Sequence, residues 1–176
     1  MPPLIDPTKP KRYPRPSAEY VAMYGEVKDG GFTVPAVDLT QVNPAFLRRE
    51  VNFDTDEPVG TIIVDTPARY LYLVLGDGRA MRYGIGVGRE GFTWSGVERI
   101  SRMAEWPDWH PPKEMIERQP YLPRFMAGGE SNPMGARALY LGSTVFRIHG
   151  TNQPSTIGTF VSSGCIRLVN EDVEDL

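Results

Sequence analysis

The stretch that decides the fold is TIIVDTPARYLYLVLGDGRAMRYGIGV, residues 61–87. Residues 61–65 and 70–75 are rich in β-branched and aromatic side chains, and a Pro-Ala pair between them marks a turn. A Gly-Asp-Gly sequence then gives a second turn signal. Over residues 79–87 glycines alternate with large side chains, which predicts a third strand packed closely against another backbone. We therefore expect a β-meander.

The chain after this meander predicts a loop, two strands and a helix. Residues 105–123 (EWPDWHPPKEMIERQPYLP) combine Trp with Pro and contain one helical turn, residues 113–118, between two prolines. This composition predicts a structured loop or lid. Two further strands are expected at residues 138–142 and 144–149, and a final helix should start near Asn170. The fold class is therefore mainly β, with a few short helices and a Trp/Pro-rich loop.

The composition separates the first part of the chain from the rest. The 176 residues include 18 glycines and 17 prolines, which favours strands, turns and ordered loops over long helices. Eight of the prolines fall in residues 1–45, so this segment is predicted to be an extended arm. Residues 46–176 are then long enough to form one domain with its own core.

Charge and hydropathy exclude several classes of function. The formal net charge is −3, and no run of Lys and Arg is long enough to follow a phosphate backbone, so we expect no nucleic-acid partner. No stretch approaches the roughly 20 apolar residues that cross a bilayer. The start of the chain, MPP, lacks the charged and apolar regions of a signal peptide. We expect a chain with no membrane span.

A glycine pattern at residues 86–91 formally matches a dinucleotide-binding fingerprint. Gly86, Gly88 and Gly91 have the spacing G-x-G-x-x-G, but this motif requires a helix directly after it. The sequence Phe-Thr-Trp-Ser-Gly follows instead. Because the strand-helix-strand context is missing, nucleotide binding is not expected.

The single cysteine, Cys165, has no partner for an internal disulfide. It is either a small buried hydrophobic residue or a reactive thiol. His149 ends a predicted strand upstream of it, and an imidazole nearby could accept the thiol proton. Gly164 permits a tight backbone, so the amides of Gly164 and Cys165 could point at a developing oxyanion. His110 has no second ligand at metal-binding spacing, so neither a metal nor another cofactor is expected.

The segment HGTNQPSTIGTFVSSGCIRLVN, residues 149–170, contains the informative motifs. The pattern HGTNxPxxIG followed by SSGCIRLxNxDVxDL resembles the signature of the L,D-transpeptidase (YkuD-domain) family. The resemblance extends upstream through GVGREGFTWSG, EWPDWHPP and NPMGARALYLG, and covers roughly residues 60–176. It implies a β-sandwich or meander of the L,D-transpeptidase type.

The resemblance also implies roles for individual residues. Cys165 would be the nucleophile and His149 its base. Ser163 occupies a position where the family often has histidine, and its backbone carbonyl would orient the imidazole. The Gly164 backbone amide would belong to the oxyanion site. Arg167 would either contact a substrate carboxylate or form a structural ion pair, and the sequence leaves both open.

The implied activity is attack by the thiol on a peptidoglycan tetrapeptide stem, giving a thioester acyl-enzyme. An amine of a second stem would then give a 3→3 cross-link, an amine of an outer-membrane protein would anchor that protein, and water would trim the stem. The sequence leaves these three acceptors open. Such a substrate implies export to the periplasm or cell wall, with the signal peptide absent from this chain. We also expect the domain to be truncated at its C-terminus. The rival hypothesis is a catalytically silent cell-wall binding module of the same fold.

Overall fold

The computed structural model describes residues 11–89, 94–162 and 164–176. Most of the regular structure within these ranges is short β-strand. The strands are β1 (Val27–Asp29), β2 (Phe32–Val34), β3 (Arg49–Asn52), β4 (Ile62–Asp65), β5 (Tyr70–Gly76), β6 (Arg79–Gly84), β7 (Val87–Gly88), β8 (Ile100–Glu105), β9 (Arg137–Leu141), β10 (Arg147–Thr151), β11 (Phe160–Ser162) and β12 (Ile166–Val169). The α-helices are α1 (Ala18–Met23), α2 (Lys113–Arg118) and α3 (Asn170–Asp175). Single 3₁₀ turns lie at Leu39–Gln41, Pro44–Phe46 and Pro154–Thr156.

Two four-stranded sheets share one hydrophobic core. The first sheet has the order β3-β6-β5-β4 and is antiparallel, so the predicted meander is confirmed. The second has the order β12-β10-β9-β8, in which β10 and β12 are parallel and the other pairs antiparallel. Leu71 and Tyr83 of the first sheet pack in one cluster with Leu139, Ile148 and Leu168 of the second. The mainly β, sandwich-type fold class is thus confirmed.

The strand predicted over residues 79–87 is divided in two. β6 ends at Gly84, and the Ile85 amide donates to the Arg69 carbonyl at 3.1 Å. Gly86 then exchanges two backbone hydrogen bonds with Arg167, at 2.9 and 3.0 Å, before β7 begins. The chain therefore leaves the first sheet and pairs with the second. The Gly86 to Gly88 segment is extended backbone in both pairings, not a phosphate loop.

Several other predicted elements are confirmed with shifted bounds. The predicted helical turn at residues 113–118 is α2, and the final helix starts at Asn170. β9 ends one residue early because Gly142 adopts a left-handed φ of 55°. A turn in which Thr144 Oγ1 donates to the Leu141 carbonyl at 2.7 Å delays the next strand, which starts at Arg147.

The described part of the N-terminal segment is not the extended arm that its composition predicts. It contains α1 and the hairpin of β1 and β2, and Tyr24, Leu39 and Val42 are buried. These side chains form a second cluster with Ile157 and Val169 of the later chain. The reason is that the segment carries enough apolar side chains to cover one edge of the second sheet.

One buried tyrosine ties this segment to the last helix. The Tyr24 hydroxyl donates to Asp172 Oδ2 at 3.1 Å and accepts from the Arg48 backbone amide at 2.7 Å. Arg48 Nη1 also donates to the Glu171 carbonyl at 3.1 Å. Because Tyr24 and Asp172 are almost fully buried, these bonds are shielded from water.

Candidate active site

Strand pairing places His149 and Arg167 on one face of the second sheet, next to the turn that carries Cys165. In the parallel β10–β12 pair Ile148 lies opposite Ile166, and His149 lies opposite Arg167. Successive side chains along a strand alternate between the two faces. Since both isoleucines face the core, His149 and Arg167 lie on the opposite face, and Cys165 directly precedes β12.

The turn before Cys165 is held by one buried hydroxyl. Ser162 Oγ donates to the Cys165 carbonyl at 2.7 Å and accepts from the Gly164 amide at 3.2 Å. Gly164 has a φ of 117°, a conformation that side chains disfavour, so glycine is required at this position. The Gly164 amide therefore already has an acceptor. Ser163, whose carbonyl we expected to orient the imidazole, lies outside the described residues.

Burial controls the protonation of Cys165, which is half-buried. Removal from water disfavours the thiolate and raises the thiol pKa above its usual value. The Arg147 backbone amide and the charges of Arg147 and Arg167 oppose this effect but do not reverse it. The resting group at neutral pH is therefore the thiol, and a base is needed to form the nucleophile.

His149 is buried, with 6% of its surface exposed. Burial lowers its pKa to about 4; the hydrogen bond to the Gly150 carbonyl opposes the shift, and the charges of Arg167 and Arg147 add to it. The ring is thus neutral at pH 7. Nδ1 lies 2.6 Å from the Gly150 carbonyl, which can only accept, so Nδ1 carries the proton. In this tautomer Nε2 is the atom that can accept a proton, and a backbone hydrogen bond with Met134 also opposes the lowering of the pKa.

Two close backbone approaches fix the strand that carries His149. Asn170 Oδ1 accepts from the Ala136 amide at 2.9 Å and lies against the backbones of Gly150 and Gly135. A Cβ atom on Gly150 or Gly135 would overlap this oxygen. Asn170 therefore does not cap its own helix, since Val169 is the N-cap residue. Its side chain instead links β10 to the segment that precedes β9.

Arg167 crosses the backbone of Gly86, where a Cβ atom would come within 2.8 Å of Arg167 Cγ. Burial lowers the pKa of Arg167, and the nearby Cys165 opposes that shift. Among residues 11–89, 94–162 and 164–176, no carboxylate pairs with Arg167, and its Nε has no hydrogen-bond partner. Arg147, on the same face, packs its guanidinium over Tyr140 at 4.9 Å. This arrangement favours a contact with a substrate anion over a structural ion pair within the described chain.

Sequence reasoning missed three residues of this site. Ser162 and Asn170 act through side-chain bonds to distant or neighbouring backbone, and Arg147 lies beside the thiol only because β10 and β12 are paired. The Ser-Ser-Gly turn was the one local signal for Ser162. Trp106 packs against Phe32 with ring centroids 4.7 Å apart.

No group of three or more His, Cys, Asp or Glu side chains with metal-binding geometry occurs in the described part of the chain. Within the same ranges no helix has the length and apolar character needed to cross a membrane.

Comparison with known proteins identifies relatives of the whole second half of the chain. A family model described as YkuD, L,D-transpeptidase catalytic domain, matches residues 60–176. A probable L,D-transpeptidase ErfK/SrfK of Escherichia coli (strain K12) is 37% identical over 124 residues, which are 65% of this chain and 39% of that protein. A probable L,D-transpeptidase YcfS of the same strain is 31% identical over 209 residues, covering 98% of this chain and 65% of that protein.

The chain spans about two fifths of the length of the first of these relatives. One solved structure is also similar, that of a Brucella melitensis protein described as a probable carnitine operon oxidoreductase caia. It is 46% identical, with a TM-score of 0.56, over 78% of this chain and 90% of that one. This similarity indicates a shared fold, whereas that protein is described by a different activity.

Proposed function

The chain belongs to the family of L,D-transpeptidase catalytic domains, and from that premise we propose that it transfers acyl groups through a thioester on Cys165. The proposal is supported by the position of Cys165 directly before β12, the strand that pairs with the His149 strand, and by a protonated thiol and a neutral imidazole. A neutral imidazole beside a neutral thiol suits general-base activation.

In the proposed reaction, His149 Nε2 accepts the thiol proton as the Cys165 sulfur attacks the stem carbonyl. The tetrahedral intermediate then collapses, the C–N bond to the terminal D-amino acid breaks, and the imidazolium returns the proton to the leaving amine. An acceptor amine next attacks the thioester and His149 takes its proton. The C–S bond then breaks, and the imidazolium returns that proton to the sulfur, which restores the thiol. No redox change occurs.

The developing oxyanion would be stabilised by the backbone amides of Gly164 and Cys165. In the resting structure the Gly164 amide donates to Ser162 Oγ at 3.2 Å, which is near the long end of a normal hydrogen bond. We propose that this amide is shared with or transferred to the oxyanion during acylation. The backbone carbonyl of Ser163 remains our proposed partner for the imidazole, and it would have to receive the Nδ1–H that the Gly150 carbonyl accepts in the described structure.

Arg167 is proposed to bind an anionic part of the substrate. Its guanidinium has no carboxylate partner among the described residues, and a charge-assisted pair with a substrate carboxylate would satisfy it. Arg147 on the same face would strengthen the positive potential there.

We propose peptidoglycan stem peptides as the donor substrate. The acceptor would be a second stem, giving a 3→3 cross-link, or an amine of an outer-membrane protein, giving wall attachment. Because peptidoglycan lies outside the cytoplasm, the domain would act in the periplasm or at the cell wall. We also propose a domain boundary near residue 45, with the catalytic domain at residues 46–176.

Acylation by a carbapenem tests the proposal against the rival, a silent binding module. Intact-mass analysis should show one covalent adduct on the wild-type chain and none on Cys165→Ser. His149→Ala should acylate roughly 10²- to 10⁴-fold more slowly, as expected for loss of a positioned proton acceptor. His110→Ala is the matched control, because it removes the other histidine, which is exposed, and should acylate at the wild-type rate. Folded wild-type protein that forms no adduct would favour the binding module.

The role of Ser163 is tested separately. If only its carbonyl orients the imidazole, Ser163→Ala should acylate within a few-fold of wild type, whereas Ser163→Pro should be much slower because proline fixes φ and restricts the preceding residue. A large loss in folded Ser163→Ala would show that the hydroxyl itself takes part.

A further inference from the structure

Two arginines flank one tyrosine on the outer face of the second sheet. Tyr140 of β9 lies opposite Arg147 of β10 on one side and opposite Arg102 of β8 on the other. Both neighbours of Tyr140 along β9 are leucines of the hydrophobic core, so its own side chain lies on the face away from the core. Residues directly opposite each other in a sheet share a face, and these three side chains therefore form a row across three strands. We call Arg102, Tyr140 and Arg147 the arginine row.

The tyrosine ring holds both guanidinium groups close together. Cζ of Arg102 lies 5.1 Å from the centroid of the Tyr140 ring, and Cζ of Arg147 lies 4.9 Å from it. Because each charge lies about 5 Å from the same point, the two are at most about 10 Å apart. A guanidinium that packs on an aromatic ring keeps N–H groups in its own plane for hydrogen bonds at its edge. The ring thus places two cations side by side and leaves them donors for a ligand.

The charges of the arginine row are not neutralised and are open to solvent. Within residues 11–89, 94–162 and 164–176, neither arginine forms an ion pair or a side-chain hydrogen bond. Arg102 is exposed and Arg147 is half-buried. Of the guanidinium nitrogens of Arg147, only Nε is buried without a partner, so the terminal nitrogens remain in contact with solvent. A ligand can therefore reach both cations from outside.

One end of the arginine row adjoins the proposed nucleophile. The backbone amide of Arg147 bonds to Cys165, and the charge of Arg147 acts on both Cys165 and His149. Arg147 belongs to β10, which pairs with β12, and Cys165 directly precedes β12. From β12 to β8 the sheet crosses three strand spacings, roughly 14 Å, which is the length of about four extended residues. A short peptide joined to the sulfur can therefore extend along the row as far as Arg102.

We propose that the arginine row is an anion subsite that binds a free internal carboxylate of the donor peptide and selects it over a carboxamide; this rests on the acyl transfer proposed above. A carboxylate accepts hydrogen bonds from guanidinium groups through both oxygens, whereas a carboxamide turns two N–H donors toward the cations. Arg102 determines this specificity, and Tyr140 positions both guanidinium groups. The subsite is distinct from Arg167, which lies on β12 opposite His149. Two cations are too few to follow a polyanion such as nucleic acid.

Peptide binding to the unreactive Cys165→Ser chain tests the subsite without requiring turnover. The probes are a tetrapeptide stem with free internal carboxylates and the same peptide with those carboxylates converted to carboxamides, titrated in ¹H–¹⁵N NMR. The free acid should bind about tenfold or more tightly than the amide and should shift the amide signals of the arginine row. A second change, Arg102→Gln, should reduce the preference to about threefold or less, whereas Arg102→Lys keeps the charge and should retain part of it. Arg49→Gln, which removes an exposed arginine of β3 in the first sheet, is the matched control and should keep the full preference.

Release of the terminal D-amino acid by chains that retain Cys165 is the second readout. Arg102→Gln should raise KM for the free-acid peptide about fivefold or more, with kcat within about twofold, because the contact is made equally before and during the reaction. Equal binding of the two peptides, an unchanged preference in Arg102→Gln, or an equal loss in Arg49→Gln would each overturn the proposal. Selective binding without release of the D-amino acid would refute acyl transfer and support the subsite, whereas release without any preference would refute the subsite alone.

Discussion

Replacing Ser162 by alanine removes the hydroxyl that bridges the turn before Cys165. The hydroxyl makes two hydrogen bonds, to the Cys165 carbonyl at 2.7 Å and from the Gly164 amide at 3.2 Å, in a buried setting. At about 1 kcal/mol net for each bond, the variant should lose about 2 kcal/mol of unfolding free energy. For a chain of this size the loss corresponds to a fall in Tm of about 4 to 8 °C.

The same change should slow acylation at Cys165. A displacement of the sulfur by about 1 Å can cost up to 10²-fold in rate, so we expect a loss between about tenfold and that limit. Single-turnover carbapenem acylation and calorimetry measure the two effects on one sample. Ser162→Thr keeps the hydroxyl and should recover most of both losses, and Ser155→Ala at an exposed position is the matched control.

An unchanged Tm together with an unchanged rate would refute the reasoning about Ser162. A faster reaction would refute it in a specific way, because the hydroxyl would then be competing with the oxyanion for the Gly164 amide.

Three further predictions concern stability. Tyr24→Phe should cost about 1 to 3 kcal/mol in urea denaturation, because buried Asp172 loses its hydroxyl donor, and an unchanged midpoint would contradict this. The pKa of Glu171 rises on folding from 4.5 to about 8, so its contribution to stability is full below pH 4.5 and is lost as the pH rises through 8. Between pH 5 and 8 Glu171→Gln should therefore flatten the decline of Tm with pH, and parallel curves would argue against the shifted pKa. Gly150→Ala should lower Tm by several degrees in calorimetry because its Cβ overlaps Asn170 Oδ1, and wild-type stability would mean that this contact relaxes freely.

Local patterns were sufficient where neighbouring residues decide the structure. The β-branched and aromatic runs at 61–65 and 70–75 became β4 and β5 because their side chains fit a pleated sheet whatever its partner. The two prolines that bound residues 113–118 likewise delimited α2, because proline limits the backbone on both sides of itself.

Local sequence patterns did not predict the structure where contacts between residues distant in sequence determine it. The strand predicted over residues 79–87 is interrupted at Ile85 because Gly86 pairs with Arg167, some eighty positions later. No property of residues 79–87 alone predicts that pairing. The N-terminal segment has many prolines, yet Tyr24 is buried because Asp172 and Arg48 surround its hydroxyl. Composition cannot report such contacts.

The sequence by itself determined the candidate chemistry, since one cysteine and one histidine stand in a motif that carries its own glycine turn. Only the tertiary structure decided the chemical state of these groups. Parallel pairing brings β10, which carries His149, beside β12, which Cys165 directly precedes. The Gly150 carbonyl selects the Nδ1–H tautomer, and burial keeps both groups neutral. Nothing in the sequence distinguishes Glu171 from other glutamates, whereas in the fold its carboxylate oxygens have no hydrogen-bond partner among the described residues. Protonation and tautomer depend on solvent exclusion and on backbone dipoles, and these exist only once strands distant in sequence have packed together.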